Sequence, residues 1–221
     1  MEIKVVRQIL EWNEKCHEEI QEQLNNKKVF MINIMGSPGS GKTSFIIKLF
    51  EKLNKNYKVG VIEGDIEGKV DAMKIAELGI PVVQLNTKGA CHIEAKSVKE
   101  ILKYFNLEEI DVILVENIGN LVCPAEFDIG EHLKIALLSI PEGDDKVIKY
   151  PLMFVKSNIV VLSKYDMKKY FDFEDDKVIT DTTSKNSKAK IFKVSSINEF
   201  GIDEVCDYLT KYIEKYKKEN D

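Results

Sequence analysis

The sequence predicts an α/β fold, a mostly parallel central sheet flanked by helices on both faces. Two observations carry that prediction. Short runs such as KVFMINIMG, DVILVEN and SNIVVLSK are rich in aliphatic and β-branched residues, as strands are when both of their faces are buried. Between most of these runs lie amphipathic stretches of helical spacing, so strands and helices alternate as in successive βαβ units.

Taken in order, residues 3–26 read as an amphipathic helix. Its stripe is Ile3, Val6, Leu10, Asn13, His17, Ile20 and Leu24, with Cys16 on the flank. KVFMINIMG is the first strand and ends at glycine; a helix then runs from Lys42 to about Asn54. The further strands are YKVGVIEGD, IPVVQLN, DVILVEN, LKIALLSI, SNIVVLSK and AKIFKVSS, with helices over 68–78, 92–105, 174–186 and 202–217. This divides the chain into an N-terminal helix (1–28) packed on a single domain (29–217), followed by an exposed tail (218–221). No internal repeat or low-complexity linker interrupts it.

Composition narrows the function classes. A chain of 221 residues with 44% hydrophobic and 31% charged residues can bury a full core. A net charge of −5 argues against nucleic acid as the main partner. No apolar run reaches the roughly 18 residues of a membrane span. The N-terminus carries charge too early for a secretion signal, and four cysteines without repeated spacing do not form a disulfide framework. A cytoplasmic location is therefore expected. Of 32 basic residues only Arg7 is arginine, which limits how an arginine could reach a reaction centre.

The strongest local signal is GSPGSGKTS, that is Gly36, Ser37, Pro38, Gly39, Ser40, Gly41, Lys42, Thr43 and Ser44. It fits G-x-x-x-x-G-K-[ST] and lies between a predicted strand and a predicted helix, the setting of a phosphate-binding P-loop. Glycines let several backbone N–H groups turn toward one anion, and the helix start adds its positive end. Lys42 is placed for the β/γ-phosphates and the Thr43 hydroxyl for Mg²⁺. The fold class is thus an α/β P-loop NTPase.

Acidic residues at strand ends extend the motif. Asp65 closes VIEGD and Asp71 follows six residues later; each is a candidate for holding Mg²⁺ through water or orienting the attacking water. The alternatives are a helix cap for Asp65 and a solvated helix face for Asp71. Glu116 ends the apolar strand VILVE, in position for the Mg²⁺ shell, and Gly119 offers an N–H to a γ-phosphate. LSKYDM matches the tail of N-K-x-D. There the Asp166 carboxylate accepts hydrogen bonds from guanine and the Lys164 stem lies along the ring; Ser163 replaces the usual asparagine. Ser195 and Ser196 end the last strand, where a guanine-side loop belongs.

Cys91, His92 and Cys123 are a candidate set for Zn²⁺ or Ni²⁺, which take thiolate and imidazole ligands. Their spacing leaves the matter open. Adjacent residues on a helix point about 100° apart, and cysteine is often just buried. A second pair, Cys16-His17, lies on or beside an apolar helix stripe, where packing accounts for it.

GSPGSGKTS, EGDIEGKVDAMKI, NTKGACHIEA, VENIGNLVCPAEFDIGE, PEGDDKVIKYPLMF and LSKYDM together resemble the hydrogenase nickel-incorporation GTPases. These belong to the P-loop class of the signal-recognition and nitrogenase-iron-protein nucleotidases. The resemblance runs from about residue 30 to 210. It implies phosphate binding by Gly36 to Thr43, Mg²⁺-linked switch roles for Asp65, Asp71 and Glu116 beside Lys42 in catalysis, and guanine reading by Lys164 and Asp166, in a GTP/GDP site to which the local reading adds Ser44, Gly119, Ser195 and Ser196. It further implies magnesium at Thr43, Asp65 and Glu116, and nickel or zinc at Cys91, His92 and Cys123. The expected assembly is a GTP-dependent homodimer whose two-fold axis brings together ligands that one helix face could not.

The implied partners are a small nickel-binding maturation chaperone and the hydrogenase large-subunit precursor, with neither nucleic acid nor membrane. Two departures stand out. The N-terminal cysteine motif or histidine tract of some members is missing, and Ser37, Pro38 and Ser40 fill a segment where the class often carries an extra lysine. With no evident arginine finger, intrinsic turnover is expected to be slow. Cys123, four residues after Gly119, is the expected coupling element. Other readings are a urease-type nickel GTPase, a P-loop small-molecule kinase and a metal store without enzymatic activity.

Overall fold

The computed structural model describes residues 2–65, 68, 70–87 and 89–220, with side chains left out for residues 2–10, 70 and 71. Seven strands form one sheet: β1 (Phe30–Gly36), β2 (Val59–Asp65), β3 (Val82–Asn86), β4 (Val112–Glu116), β5 (Leu133–Ser139), β6 (Ile159–Ser163) and β7 (Lys190–Lys193). Their order is β3-β2-β4-β1-β5-β6-β7, and every pairing is parallel. The apolar runs explain this arrangement, because β1, β4, β5 and β6 are buried along their whole length.

A parallel sheet gathers all its C-terminal strand ends at one edge. After β1 the chain moves outward to β2 and β3, returns through β4 and then builds the other side. The crevice beside β1 is therefore the switch point at which such sheets bind ligands.

The helices cover both faces: α1 (Glu2–Lys27), α2 (Lys42–Leu53), α3 (Val70–Glu77), α4 (Ala95–Leu102), α5 (Cys123–Glu126), α6 (Lys146–Lys149), α7 (Pro151–Lys156), α8 (Asp175–Lys185) and α9 (Ile202–Glu219). On one face Phe45, Ile46 and Leu49 of α2 meet Val205, Leu209 and Ile213 of α9 over the strands. On the other, Cys16, Ile20 and Leu24 of α1 pack with Val98, Ile101 and Leu102 of α4. Burying each such large aliphatic residue contributes about 1.5–3 kcal/mol. No described helix is long and apolar enough to cross a membrane.

Two expectations need correction. The helix placed over 92–105 begins only at Ala95, so Cys91 and His92 lie in the bend before it. Residues 141–156, unassigned from sequence, hold a 3₁₀ turn (Ile140–Glu142) and the short helices α6 and α7. Elements of three to six residues are too short to show a helical period.

Candidate functional site

The loop from Gly36 to Gly41 connects the end of β1 to the start of α2. Gly41 caps that helix at φ +94°, a conformation that requires glycine. Lys42 Nζ donates to the carbonyls of Ser37 (3.0 Å) and Gly36 (3.3 Å), which holds its charge over the loop. The Thr43 hydroxyl donates to Glu116 Oε1 at 2.8 Å, joining the loop to the end of β4. Gly119 packs so closely on the loop that a Cβ there would lie 2.8 Å from Pro38 N.

Around these groups lies a cleft of about 470 Å³, bordered by Lys42, Thr43, Ser44, Asp65, Glu116 and Lys164 among others. The strand ends thus bring Asp65, Glu116, Gly119 and the P-loop to one cavity, as expected from their positions in sequence. Asp71 is in α3, but its side chain is outside the described residues. Hydroxyl and carboxylate oxygens are the donor set that Mg²⁺ prefers, so Thr43, Glu116 and Asp65 fit that ion chemically.

At the other end of the cleft, Lys164 adopts a left-handed conformation (φ +53°) immediately after β6. Its stem covers Gly41, where an added Cβ would be 3.8 Å from Lys164 Cε. Ser195 Oγ donates to Asp166 Oδ1 at 2.6 Å, which fixes the carboxylate. Ser196 follows, half-buried. The Ser163 hydroxyl donates to the Ser40 carbonyl at 2.6 Å, so this serine ties the base side to the phosphate loop in place of an asparagine amide.

Cys91, His92 and Cys123 converge within a single chain. Their donor atoms lie within 4.8 Å of one another, with Cys91 Sγ 2.9 Å from Cys123 Sγ and 3.7 Å from His92 Nδ1. One chain thus brings together the three donor atoms that the sequence reading placed at a dimer interface. In the bend before α4 the helical divergence of adjacent residues does not apply, and Cys123 enters at the start of α5, in the segment that follows β4.

The His92 ring stacks on Phe127 at 4.0 Å, and burial pushes its pKa down, which favours the neutral form that ligates metals. Its buried Nε2 has no partner among the described residues. The Cys91 hydrogen bond, with some burial, raises the Cys123 thiol above its ordinary value, and a bound cation would take the place of its proton.

Cys16-His17 is different. Cys16 is buried in the core, and His17 Nδ1 accepts the Gly130 N–H at 2.9 Å. In the neutral ring the remaining Nε2 must then carry the proton, so His17 has no lone pair left for a metal.

Two short paths connect the cleft to the cysteine cluster. Asn120 N donates to Gly36 O (3.1 Å), and the Asn120 side chain donates to Cys123 Sγ (3.7 Å) while accepting from the N–H groups of Val122 (2.7 Å) and Cys123 (3.3 Å). On the other side Thr87 N donates to Asp65 O (2.9 Å), and the Thr87 hydroxyl donates to the carbonyl of Ala90 (2.9 Å), next to Cys91.

Sequence reasoning missed Asn120, although an asparagine three residues before a helix-starting cysteine is a turn signal. It also missed Glu142, which bridges Ser37 of the phosphate loop and Ser139 at the end of β5. Only the fold brings those segments together.

Comparison with known proteins agrees with this architecture. The nucleotide-binding domain described as CobW/HypB/UreG matches residues 30–193. The hydrogenase/urease maturation factor HypB of Helicobacter hepaticus is 38% identical over 213 residues, covering 94% of this chain and 86% of its own. The crystal structure of HypB from Helicobacter pylori in complex with nickel superposes with a TM-score of 0.87 at 36% identity, covering 92% of this chain and 95% of its own. That of the hydrogenase maturation factor HypB from Archaeoglobus fulgidus gives 0.86 at 32% identity, covering 92% and 100%. The chain belongs to the CobW/HypB/UreG family of P-loop proteins, and within it to the HypB hydrogenase maturation factors.

Proposed function

We propose that the protein is a GTPase whose nucleotide state controls the binding and delivery of nickel during maturation of nickel-iron hydrogenase. The observation that carries this reading is Asn120, which touches both the first glycine of the phosphate loop and Cys123. In the proposed cycle, Lys42 leaves the loop carbonyls to bind the β/γ-phosphates, and the N–H groups of the loop hold the remaining oxygens. Mg²⁺, held by Thr43 with Glu116 and Asp65 through water, would supply neutralising charge on the β- and γ-phosphates. Asp65 or Asp71 orients the attacking water, and Asp166, braced by Ser195, accepts the guanine N–H groups. The chain brings no evident arginine to this reaction, so turnover without a partner is slow.

Nickel is the cargo, taken by Cys91, His92 and Cys123. The complex of the Helicobacter pylori relative supports nickel, while zinc suits the same donors. GTP would favour a homodimer and a settled 119–123 loop; loss of the γ-phosphate would loosen both and release the metal. A nickel-binding chaperone would load the site and the hydrogenase large-subunit precursor would unload it. The names of the Helicobacter relatives join hydrogenase with urease, so a urease role is the second reading. The test is reconstitution: with nickel and GTP the protein should activate apo-hydrogenase, and ATP should not replace GTP. Activation of apo-urease alone would assign it to the second reading.

A further inference from the structure

Helix α1 lies outside the nucleotide domain's motifs, yet one of its side chains reaches both segments that carry the candidate metal ligands. Asn13 Nδ2 donates to the carbonyl of Asp128 at 2.8 Å, five residues beyond Cys123. Asn13 Oδ1 accepts the N–H of Ala95 at 3.0 Å, three residues beyond His92. That N–H is the first of α4, whose cap residue Glu94 provides no side-chain hydrogen bond. Asn13 thus serves as a helix cap from a distance, and with the same amide it ties down the opposite segment. It adds to the Cys91–Cys123 sulfur contact and the His92–Phe127 ring stack, which also join the two segments close to the ligands.

The mount is firm. Cys16, Ile20 and Leu24 of α1 are buried in the core, and two further side chains on the same face grip the chain beyond Asp128. His17 accepts the Gly130 N–H at 2.9 Å and Gln21 donates to the Glu131 carbonyl at 3.3 Å. The steps 13, 17 and 21 lie one helical turn apart and present one polar face to residues 128–131. An apolar residue at 13 would make neither bond. A polar residue within the stripe is thereby explained by what it positions.

We infer that Asn13 is a positioning residue of the metal site: it sets the separation of the His92 and Cys123 segments, and through it α1 tunes metal affinity and ligand geometry. The inference rests on the reading of Cys91, His92 and Cys123 as the nickel site. A group that orients ligands from outside the coordination sphere changes metal affinity by about 10–100-fold when removed. The nucleotide cleft is built from other segments and should be spared.

The test compares the full chain as wild type, Asn13→Ala, Asn13→Asp, the exposed-face control Glu11→Ala, and Cys91→Ala. Ni²⁺ alone is titrated against a chromophoric chelator, the thiolate-to-nickel absorption bands are recorded, and amide exchange is followed over 91–95 and 127–129. Asn13→Ala should bind nickel at least about 10-fold more weakly, with shifted bands and faster exchange in both segments. Its GDP affinity should stay within about twofold of wild type, as for a distant site. Glu11→Ala should match wild type throughout.

Asn13→Asp keeps the acceptor for Ala95 and places an oxygen against the Asp128 carbonyl. It should show the same loss, and it carries the test if Asn13→Ala does not fold. A folded Asn13 variant with wild-type nickel affinity, bands and exchange overturns the inference while leaving the metal site standing. If wild type and Cys91→Ala bind nickel alike, the metal-site reading itself fails, and the inference with it.

Discussion

The side-chain amide of Asn120 lies 3.7 Å from Cys123 Sγ, and the main-chain N–H of the same residue is bonded to Gly36 at the start of the phosphate loop. One asparagine therefore registers both ends of the proposed coupling. Asn120→Ala removes the sulfur contact and the cap on Val122 and Cys123 but keeps the backbone bond to Gly36. The nickel affinity ratio between GTP-analogue and GDP states should fall toward one, a loss of about 1–3 kcal/mol in coupling, with GDP affinity retained. Nickel titrations in the two nucleotide states measure it.

Lys42→Ala and Thr43→Ala separate chemistry from metal binding. Without the Lys42 ammonium over the loop carbonyls, the phosphate charge that develops in hydrolysis is uncompensated, and kcat should fall by about 100-fold or more. Thr43→Ala should raise the magnesium concentration needed for turnover. Nucleotide-free nickel binding should be unchanged in both, since Cys91, His92 and Cys123 gather without either residue. Phosphate release and equilibrium dialysis check the two halves.

Base choice rests on Asp166, braced by Ser195 at 2.6 Å. Asp166→Asn replaces an acceptor of the guanine N–H groups by a donor, and GDP affinity should drop by about 10⁴-fold. Xanthosine diphosphate offers a carbonyl at the same ring position and should bind the variant better than GDP does. Ser195→Ala should cost about 10-fold in GDP affinity, the size of one lost hydrogen bond to a charged group. Competition with a fluorescent nucleotide reads all three.

His132 gives a pH dependence. Its ring stacks on Phe30 at 5.2 Å and lies tilted against Tyr216 at 4.5 Å, accepts the Met31 N–H at 3.0 Å, and burial pushes its pKa down to about 4. The unfolded chain takes up this proton near the ordinary value of 6.5, before the folded chain does. The contribution is therefore fully present above pH 6.5 and is lost as the pH falls from 6.5 to about 4, by about 3 kcal/mol in all. Urea unfolding at pH 7 and pH 4.5 should show this difference, and His132→Asn should flatten it.

Much of this architecture was legible in the sequence because it is local. A parallel strand buried on both faces appears as an apolar run, and its last residue stands at the ligand edge, which is how Asp65, Glu116 and the loop after Gly36 could be located. The cysteine cluster was only partly legible. Its residue types suggested a metal, but placing Cys91 and His92 on a helix obscured how they converge. Whether a helix begins at 92 or at 95 depends on a cap, and here the cap comes from Asn13, 82 residues away. The Ser37–Glu142 and Asn120–Cys123 contacts are likewise products of strand order, which no local pattern encodes.

Control of the metal site by nucleotide state through the 119–123 loop can be read by size-exclusion chromatography with metal analysis. Wild type, Cys91→Ala and Cys123→Ala are loaded with nickel in GDP or in a non-hydrolysable GTP analogue. Wild type with the GTP analogue should elute as a dimer retaining nickel, with GDP it should lose the metal, and neither variant should distinguish the two states. Equal nickel content of wild type in GDP and GTP analogue, or a Cys123→Ala variant with wild-type GTP-dependent nickel affinity, would contradict it.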